Sequence, residues 1–284
     1  MIRRDILSWW FRPAFLQPWG RPAKVLFAGP WTGEFGWEIM NWQAFLRKLS
    51  RKYAMVIVSC REGNQALYRD FADEFIFHDL KGTPECNMSR DLENPGERDR
   101  IRAQIPEGAD WLPTVGWQPV TRKEFIRFGS TQSEVKTDIL FHPRGRGFGA
   151  DRNWDRQSWE DLLKLLHQRG FSLGCIGLRA ATLEVEGEFT DYRDEPLDKV
   201  LDILASSRLV IGPSSGPMHL ASICGTAHLV WTDRKRYARG RTNRHKYEKW
   251  WNPFLTQTRV LDEWGFEPSV KKVEENILDF MPEG

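Results

Sequence analysis

The chain has little cysteine. Four occur in 284 residues, Cys60, Cys86, Cys175 and Cys224, and their spacing matches neither a zinc site nor a CxxC redox pair. Cys60, Cys175 and Cys224 sit in or beside apolar runs, which predicts buried thiols in a reducing compartment. No apolar run reaches the roughly 18 residues that span a bilayer as a helix. The opening MIRRDILSWWFRPAFLQPW lacks the sustained apolar core and small-residue cleavage site of a secretory signal. The expected location is therefore cytoplasmic. Formal net charge is only +2, too small for a global field that would gather nucleic acid. Nowhere does an Asp-x-Asp pair occur.

Aromatic residues are plentiful instead. The 14 Trp and 17 Phe suit core filling, or the lining of sugar and base pockets. The N-terminal arm, residues 1–22, mixes Arg3, Arg4 and Arg12 with Ile6, Leu7, Trp9, Trp10, Phe11, Phe15, Leu16 and Trp19. Such an arm packs on the body of the protein or makes a peripheral contact with the inner face of a membrane.

Two strand-first α/β patterns follow. AKVLFAG (23–29) reads as a strand ending in glycine, PWTGEFGWE (30–38) as a turn, and residues 37–52 as a helix. AMVIVSC (54–60) and EFIFHDL (74–80) are further strands, with a short helix over 64–71. Strand, helix, strand, helix, strand opens a parallel Rossmann-like sheet. Residues 81–118 read as an irregular excursion and 121–134 as a linker after a short helix. The pattern restarts with TDILFHP (137–143), an arginine-rich glycine turn, the amphipathic helix RQSWEDLLKLLHQRG, the strand FSLGCIG and the helix EPLDKVLDILASS. HLVWTD is a last strong strand and EPSVKKVEENILDFM a final helix.

The most informative stretch is VIGPSSGPMHLASICGT (210–226). Leu209, Val210 and Ile211 form a buried strand, and Gly212 lets the backbone leave it sharply. Ser214 or Ser215 caps a helix whose first turn holds Gly216 and Pro217. Met218 and His219 follow, and Gly225 ends the helix. The exposed N-terminus of such a helix attracts phosphates. The alternative is an ordinary strand–helix turn of a parallel sheet.

LVIGPSSGPMHLASICGTAHLVW is similar to the donor-site segment of the lipopolysaccharide heptosyltransferases, glycosyltransferase family 9. ILFHPRGRGFGADRNWDRQSWEDLLKLL resembles the strand, loop, basic-x-Trp and helix that open their second domain, and KVLFAGPWTGEFGWEIMNWQAFLRKL resembles their first strand, turn and helix. The resemblance covers 137–233 well. It implies an α/β GT-B fold of two Rossmann-like domains with a cleft between them. The domains are then an arm (1–22), an acceptor domain (23–130), a nucleotide-sugar domain (135–265) and a C-terminal helix (266–284). It also implies an inverting, metal-independent transferase with no cofactor, whose nucleotide-sugar donor gives its sugar to a glycan or lipid-linked acceptor.

The resemblance implies roles residue by residue. The diphosphate would lie on Ser214–His219, with Arg152 in RNW as its basic contact and Arg144 and Arg146 as rivals in the same loop. This chain has Pro-Arg-Gly where the family has Pro-Gly, and FHPRGRG also resembles the His-x-Arg of GDP-fucose transferases. Glu34, beside Gly33, stands where the family places its base, and partial burial would raise its pKa toward a useful value. Glu38 is the competitor; alternatively Glu34 only caps the helix. His219 reads as a buried histidine bonded to a backbone carbonyl, or as a catalytic one; His142 reads likewise, and its place at a strand end also suits a ligand contact. Asp233 and Arg234 open the basic stretch 233–254, which would hold phosphates, an acidic acceptor or a membrane surface, or form a solvated loop. Trp250, Trp251, Pro253 and Phe254 would dock its end. Two other classes fit the same frame: a sugar-nucleotide epimerase or hydrolase, and a non-catalytic sugar- or nucleic-acid-binding protein.

Overall fold

The protein is described here from a computed structural model, which places residues 25–80, 95–114, 117–132, 136–234 and 242–281. The N-terminal arm, Cys86 and residues 235–241 of the basic stretch lie outside these. The chain divides into two compact units, Met1–Val120 and Thr121–Gly284. Among the described residues no helix is long and apolar enough to cross a membrane.

The first unit is a parallel sheet of β1 (Val25–Ala28), β2 (Met55–Arg61), β3 (Glu74–His78) and β4 (Asp110–Leu112), in the order β3-β2-β1-β4. β1 and β2 are runs of Val, Ile, Leu and Phe because both faces of a parallel sheet are covered. After β1 the chain enters a short helical turn (Phe35–Trp37), a π-helical turn (Glu38–Trp42) and α1 (Gln43–Ser50). The region expected to be irregular contains α2 (Pro95–Arg102) and β4. β4 completes the sheet beside β1, with Gly29 N–H donating to Leu112 O at 2.8 Å and Trp111 Nε1 to Gly29 O at 2.9 Å. Gly29 has φ +109°, and a Cβ there would sit 2.4 Å from Ser59 O. Only glycine lets the chain turn out of β1 so close to β2.

The second unit holds six parallel strands: β5 (Ile139–Phe141), β6 (Leu173–Cys175), β7 (Thr190–Asp191), β8 (Leu209–Pro213), β9 (His228–Trp231) and β10 (Thr258–Leu261). Their order is β10-β9-β8-β5-β6-β7, the full Rossmann order in which the path reverses at β5. The helices are α3 (Arg156–Gln168), α4 (Leu197–Ser206), α5 (Gly216–Cys224) and α6 (Val270–Phe280). One core unites α3, α6 and the strands. At its centre Trp154, Trp159 and Trp231 meet with ring centroids 5.0–5.3 Å apart, and Trp154 Nε1 donates to Pro268 O at 3.0 Å. Much of the tryptophan is thus core.

Two expected boundaries move. α6 is part of the second unit's core through Val273 and Ile277, beside Phe266 and Met281. Residues 121–130, expected in the first domain, belong to the second unit. Phe128 N–H donates to Ile223 O at 3.1 Å, and a Cβ on Gly129 would lie 2.1 Å from Leu201 O. The Arg127 guanidinium lies 4.8 Å from the Phe254 ring centroid, in space that a Cβ on Gly225 would take.

Trp159→Ala empties the middle of the aromatic cluster. Burial of a large aromatic side chain predicts a loss of about 3–5 kcal/mol, measured by urea unfolding as a lower midpoint with the slope unchanged.

Candidate active site

The reversal of strand order in the second sheet places two loops side by side. β5 and β8 are parallel neighbours, in register from Ile139–Leu209 to Phe141–Ile211. The loop after β5 begins at His142 and the turn after β8 at Ser214. Ligands of open α/β sheets bind at such a point, outside the carboxyl ends of the strands. Gly212 permits the approach: a Cβ there would lie 3.2 Å from Met218 Sδ and 3.3 Å from His142 O. Met218 is fully buried, so its side chain serves this packing.

Ser214 N–H donates to Trp231 O at 2.9 Å, which ties the turn to β9. Ser215 is the N-cap of α5, extended at φ −162° and ψ 174°, with no side-chain cap bond. Its Oγ is shielded from solvent and has no partner. Gly216 and Pro217 form the first turn, where backbone N–H groups have no acceptor within the helix. Ser214 Oγ lies 2.9 Å from Tyr247 OH. Tyr247 stacks on His219 at 5.2 Å, and Trp251 meets the same imidazole edge-on at 4.7 Å. Burial holds His219 neutral, its pKa pushed down to about 3. His219 does not bond a backbone carbonyl as expected, for Nδ1 has no partner. Its ring is held by aromatic faces, which leave that nitrogen unused.

His142 does have a carbonyl partner, with Nδ1 3.0 Å from Ile176 O. Burial, with the charges of Arg144 and Arg146 adding to it, lowers its pKa to about 4. The ring is therefore neutral and its Nδ1 is the donor. Arg144 follows and is 1% exposed. It donates to Gly149 O at 2.8 Å, to Phe148 O at 2.5 Å and to Asn153 Oδ1. Asn153 closes the loop by donating from Nδ2 to Arg146 O at 3.0 Å. Arg144 thus spends its donors on the loop's own carbonyls. Arg146 is exposed and Arg152 half-buried. Among the described residues neither forms an ion pair, so both guanidinium groups remain available to an anion. Asp233 accepts from Asn243 Nδ2 at 2.8 Å. Arg234 lies 3.8 Å from Asp262 and 3.6 Å from Glu263. Phe254 and Trp251 dock as expected, whereas Trp250 stays 46% exposed.

In the first unit the turn after β1 occupies the corresponding reversal point between β1 and β4. Trp31 is buried and stacks on Trp42 at 5.2 Å. Gly33 lies against its indole, where a Cβ would come within 2.6 Å. Glu34 is the N-cap of the short helical turn, but its carboxylate makes no cap bond. It is exposed, so the expected partial burial is not found. Burial falls on Glu38, which has no solvent exposure. Tyr68 OH donates to its Oε1 at 2.6 Å and Asn64 Nδ2 to its Oε2 at 2.8 Å. Desolvation raises its pKa to about 7 against these bonds and the nearby Arg61 charge. Arg61, Asn64 and Tyr68 carry no motif, and the sequence offers no signal for them beyond their place at the end of β2 and just after it. Among the described residues no cluster of three His, Cys, Asp or Glu side chains has the arrangement of a metal site.

Glu38 makes folding pH-dependent. Its unfolded carboxyl titrates near 4.5 and its folded one near 7. Between these values the folded chain keeps a proton that the unfolded chain has lost. The stabilisation is fully present below pH 4.5 and is lost as pH rises through 7, by on the order of 3 kcal/mol. The unfolding free energy from urea titrations should fall by about that amount more in the wild type than in Glu38→Gln between about pH 5 and pH 8.

Scans against protein-family models and curated proteins return no match. Solved structures do match. The E. coli ADP-heptose lipopolysaccharide heptosyltransferase II superposes with a TM-score of 0.52 at 13% identity, covering 90% of this chain and 98% of that one. A family 9 glycosyl transferase of Veillonella parvula gives 0.51 at 12% identity, over 92% and 89% of the two chains. The E. coli heptosyltransferase WaaC with ADP gives 0.50 at 12% identity, over 90% and 97%. At such identity the likeness is one of fold: the chain has the α/β GT-B fold of these glycosyltransferases.

Proposed function

We propose that the chain is an inverting, metal-independent glycosyltransferase. It moves a sugar from a nucleoside-diphosphate donor to a hydroxyl of a glycan or glycolipid. One observation carries the reading. At the strand-order reversal of the second unit, the open first turn of α5 brings together a buried, unpartnered Ser215 Oγ and a neutral His219 with an unused Nδ1. The loop after the adjacent strand presents Arg146 and Arg152 with no ion pair among the described residues. Unspent donors and cations at a strand end suit a diphosphate. The ADP bound by WaaC, which has the same fold, makes an adenine nucleotide the first one to test.

The chemistry is a single displacement. The acceptor oxygen attacks C1 of the sugar as the C1–O bond to the diphosphate breaks. The acceptor proton passes to Glu34, whose exposed carboxylate is uncommitted to capping. Negative charge grows on the leaving diphosphate, where the helix N–H groups, Arg146 and Arg152 stabilise it. Arg144 shapes the loop that presents the other two arginines, and His142 fixes the end of β5 beside them.

Three measurements test this. Gly216→Asp puts a carboxylate where the phosphates approach; calorimetry should show ADP binding lost while circular dichroism is unchanged. Glu34→Gln cannot take the proton, so kcat should fall by about 10²- to 10⁴-fold with donor affinity unaltered. Transfer of radiolabelled sugar should continue in the presence of a chelator. Loss of transfer that Mg²⁺ or Mn²⁺ restores would overturn the metal-independent mechanism.

A further inference from the structure

Glu38 is a fully buried acid that the proposed chemistry does not use. It opens the π-helical turn Glu38–Trp42, one turn past Glu34. Turns of this kind are rare and concentrate at functional sites. Glu38 N–H donates to Glu34 O at 3.1 Å, so the two acids share a backbone link. Its carboxylate is gripped from the segment after β2 by Tyr68 OH and Asn64 Nδ2, at 2.6 and 2.8 Å. Arg61, at the end of β2, reaches the other side of the same turn. It donates to Thr32 O at 3.3 Å and Gly33 O at 3.4 Å while its charge acts on Glu38. The Cys60 thiol is buried near the same carboxylate. The residues on both sides of Glu34 are therefore anchored to one cluster of side chains from β2 and the segment after it, while Glu34 itself is left in solvent.

We propose that Glu38 is a positioning residue: together with Tyr68, Asn64 and Arg61 it fixes the Thr32–Trp37 turn and so sets the place of the Glu34 carboxylate. This deepens the reading of Glu34 as the base and rests on it. The charge of the group matters to the grip. A carboxyl that is harder to ionise when buried favours the closed turn while it holds its proton. Opening releases it to water, where it ionises readily. The turn should therefore loosen as pH rises through the range in which Glu38 loses its proton. Tyr68 and Cys60 beside it are themselves shifted upward by burial, so Glu38 is the acid of this cluster that changes.

The test is amide hydrogen exchange of the peptide spanning residues 31–37 in the full chain, with sugar transfer measured in parallel. Tyr68→Phe and Glu38→Ala should both raise exchange of this peptide by about tenfold or more. Both should lower kcat by on the order of 10- to 100-fold with donor KM unchanged, since small misplacement of a reacting group is costly. In the wild type, exchange corrected for its intrinsic pH dependence should rise from about pH 6 to pH 8, and in Glu38→Gln that rise should vanish. If Glu38→Ala does not fold, Tyr68→Phe and Glu38→Gln carry the comparison. Unchanged exchange in folded variants, or a pH response that survives in Glu38→Gln, overturns the proposal. Exchange is read without substrate, so it decides the anchoring even if no sugar is transferred. Faster exchange alongside a full rate in Glu34→Gln would keep the anchoring and remove Glu34 as the base.

Discussion

The order of strands constrains everything else in each unit. A right-handed crossover moves the chain steadily to one side of a parallel sheet, and only a return to the starting strand lets it build the other side. That return happens at β1 in the first unit and at β5 in the second. Helices then cover opposite faces on the two sides of the starting strand, and the ends of adjacent strands are left uncovered. The turn of Pro30–Glu38 and the paired loops at His142 and Ser214 occupy these gaps for that geometric reason, before any chemistry is considered.

Rigidity around the second gap comes from unlike sources. The tryptophan cluster under β5 and β9 is apolar and supports the sheet from below. Above it, the loop after β5 has no apolar core of its own. Arg144 substitutes for one by collecting carbonyls that would otherwise need water. A buried cation with several carbonyl partners organises a short loop as a metal or a structural water does elsewhere. The aromatic box around His219 works differently again, with ring faces fixing an imidazole whose ring nitrogen is left without a bond.

The sequence was readable where burial forces a pattern. β1, β2, β5 and β8 are runs of branched apolar residues, and Ser215, Gly216 and Gly225 mark the two ends of α5. β4, β7 and β10 leave no strand pattern in the sequence. Each is four residues or fewer and lies at a sheet edge, where one side needs no partner and polar residues such as Asp191 and Arg259 are tolerated. In the candidate site, charge alone did not tell Arg144 from Arg146, because a guanidinium is buried or exposed according to which carbonyls happen to surround it. Glu34, expected to be partly buried, is exposed, and the burial falls on Glu38. They stand four apart, and the π-helical turn that begins at Glu38 has no signature in composition or spacing.

The clasp of residues 121–132 on the second unit bears on how the chain can be divided for separate study. Arg127 over Phe254, Phe128 on Ile223 and Gly129 on Leu201 cover apolar and carbonyl groups of α4, α5 and the stretch before β10. A fragment begun at residue 135, where the strand pattern restarts, would strip these groups bare and leave a sticky flank. One begun at Thr121 carries its own cover, together with the capping box in which Thr121 and Glu124 tie off the cut end.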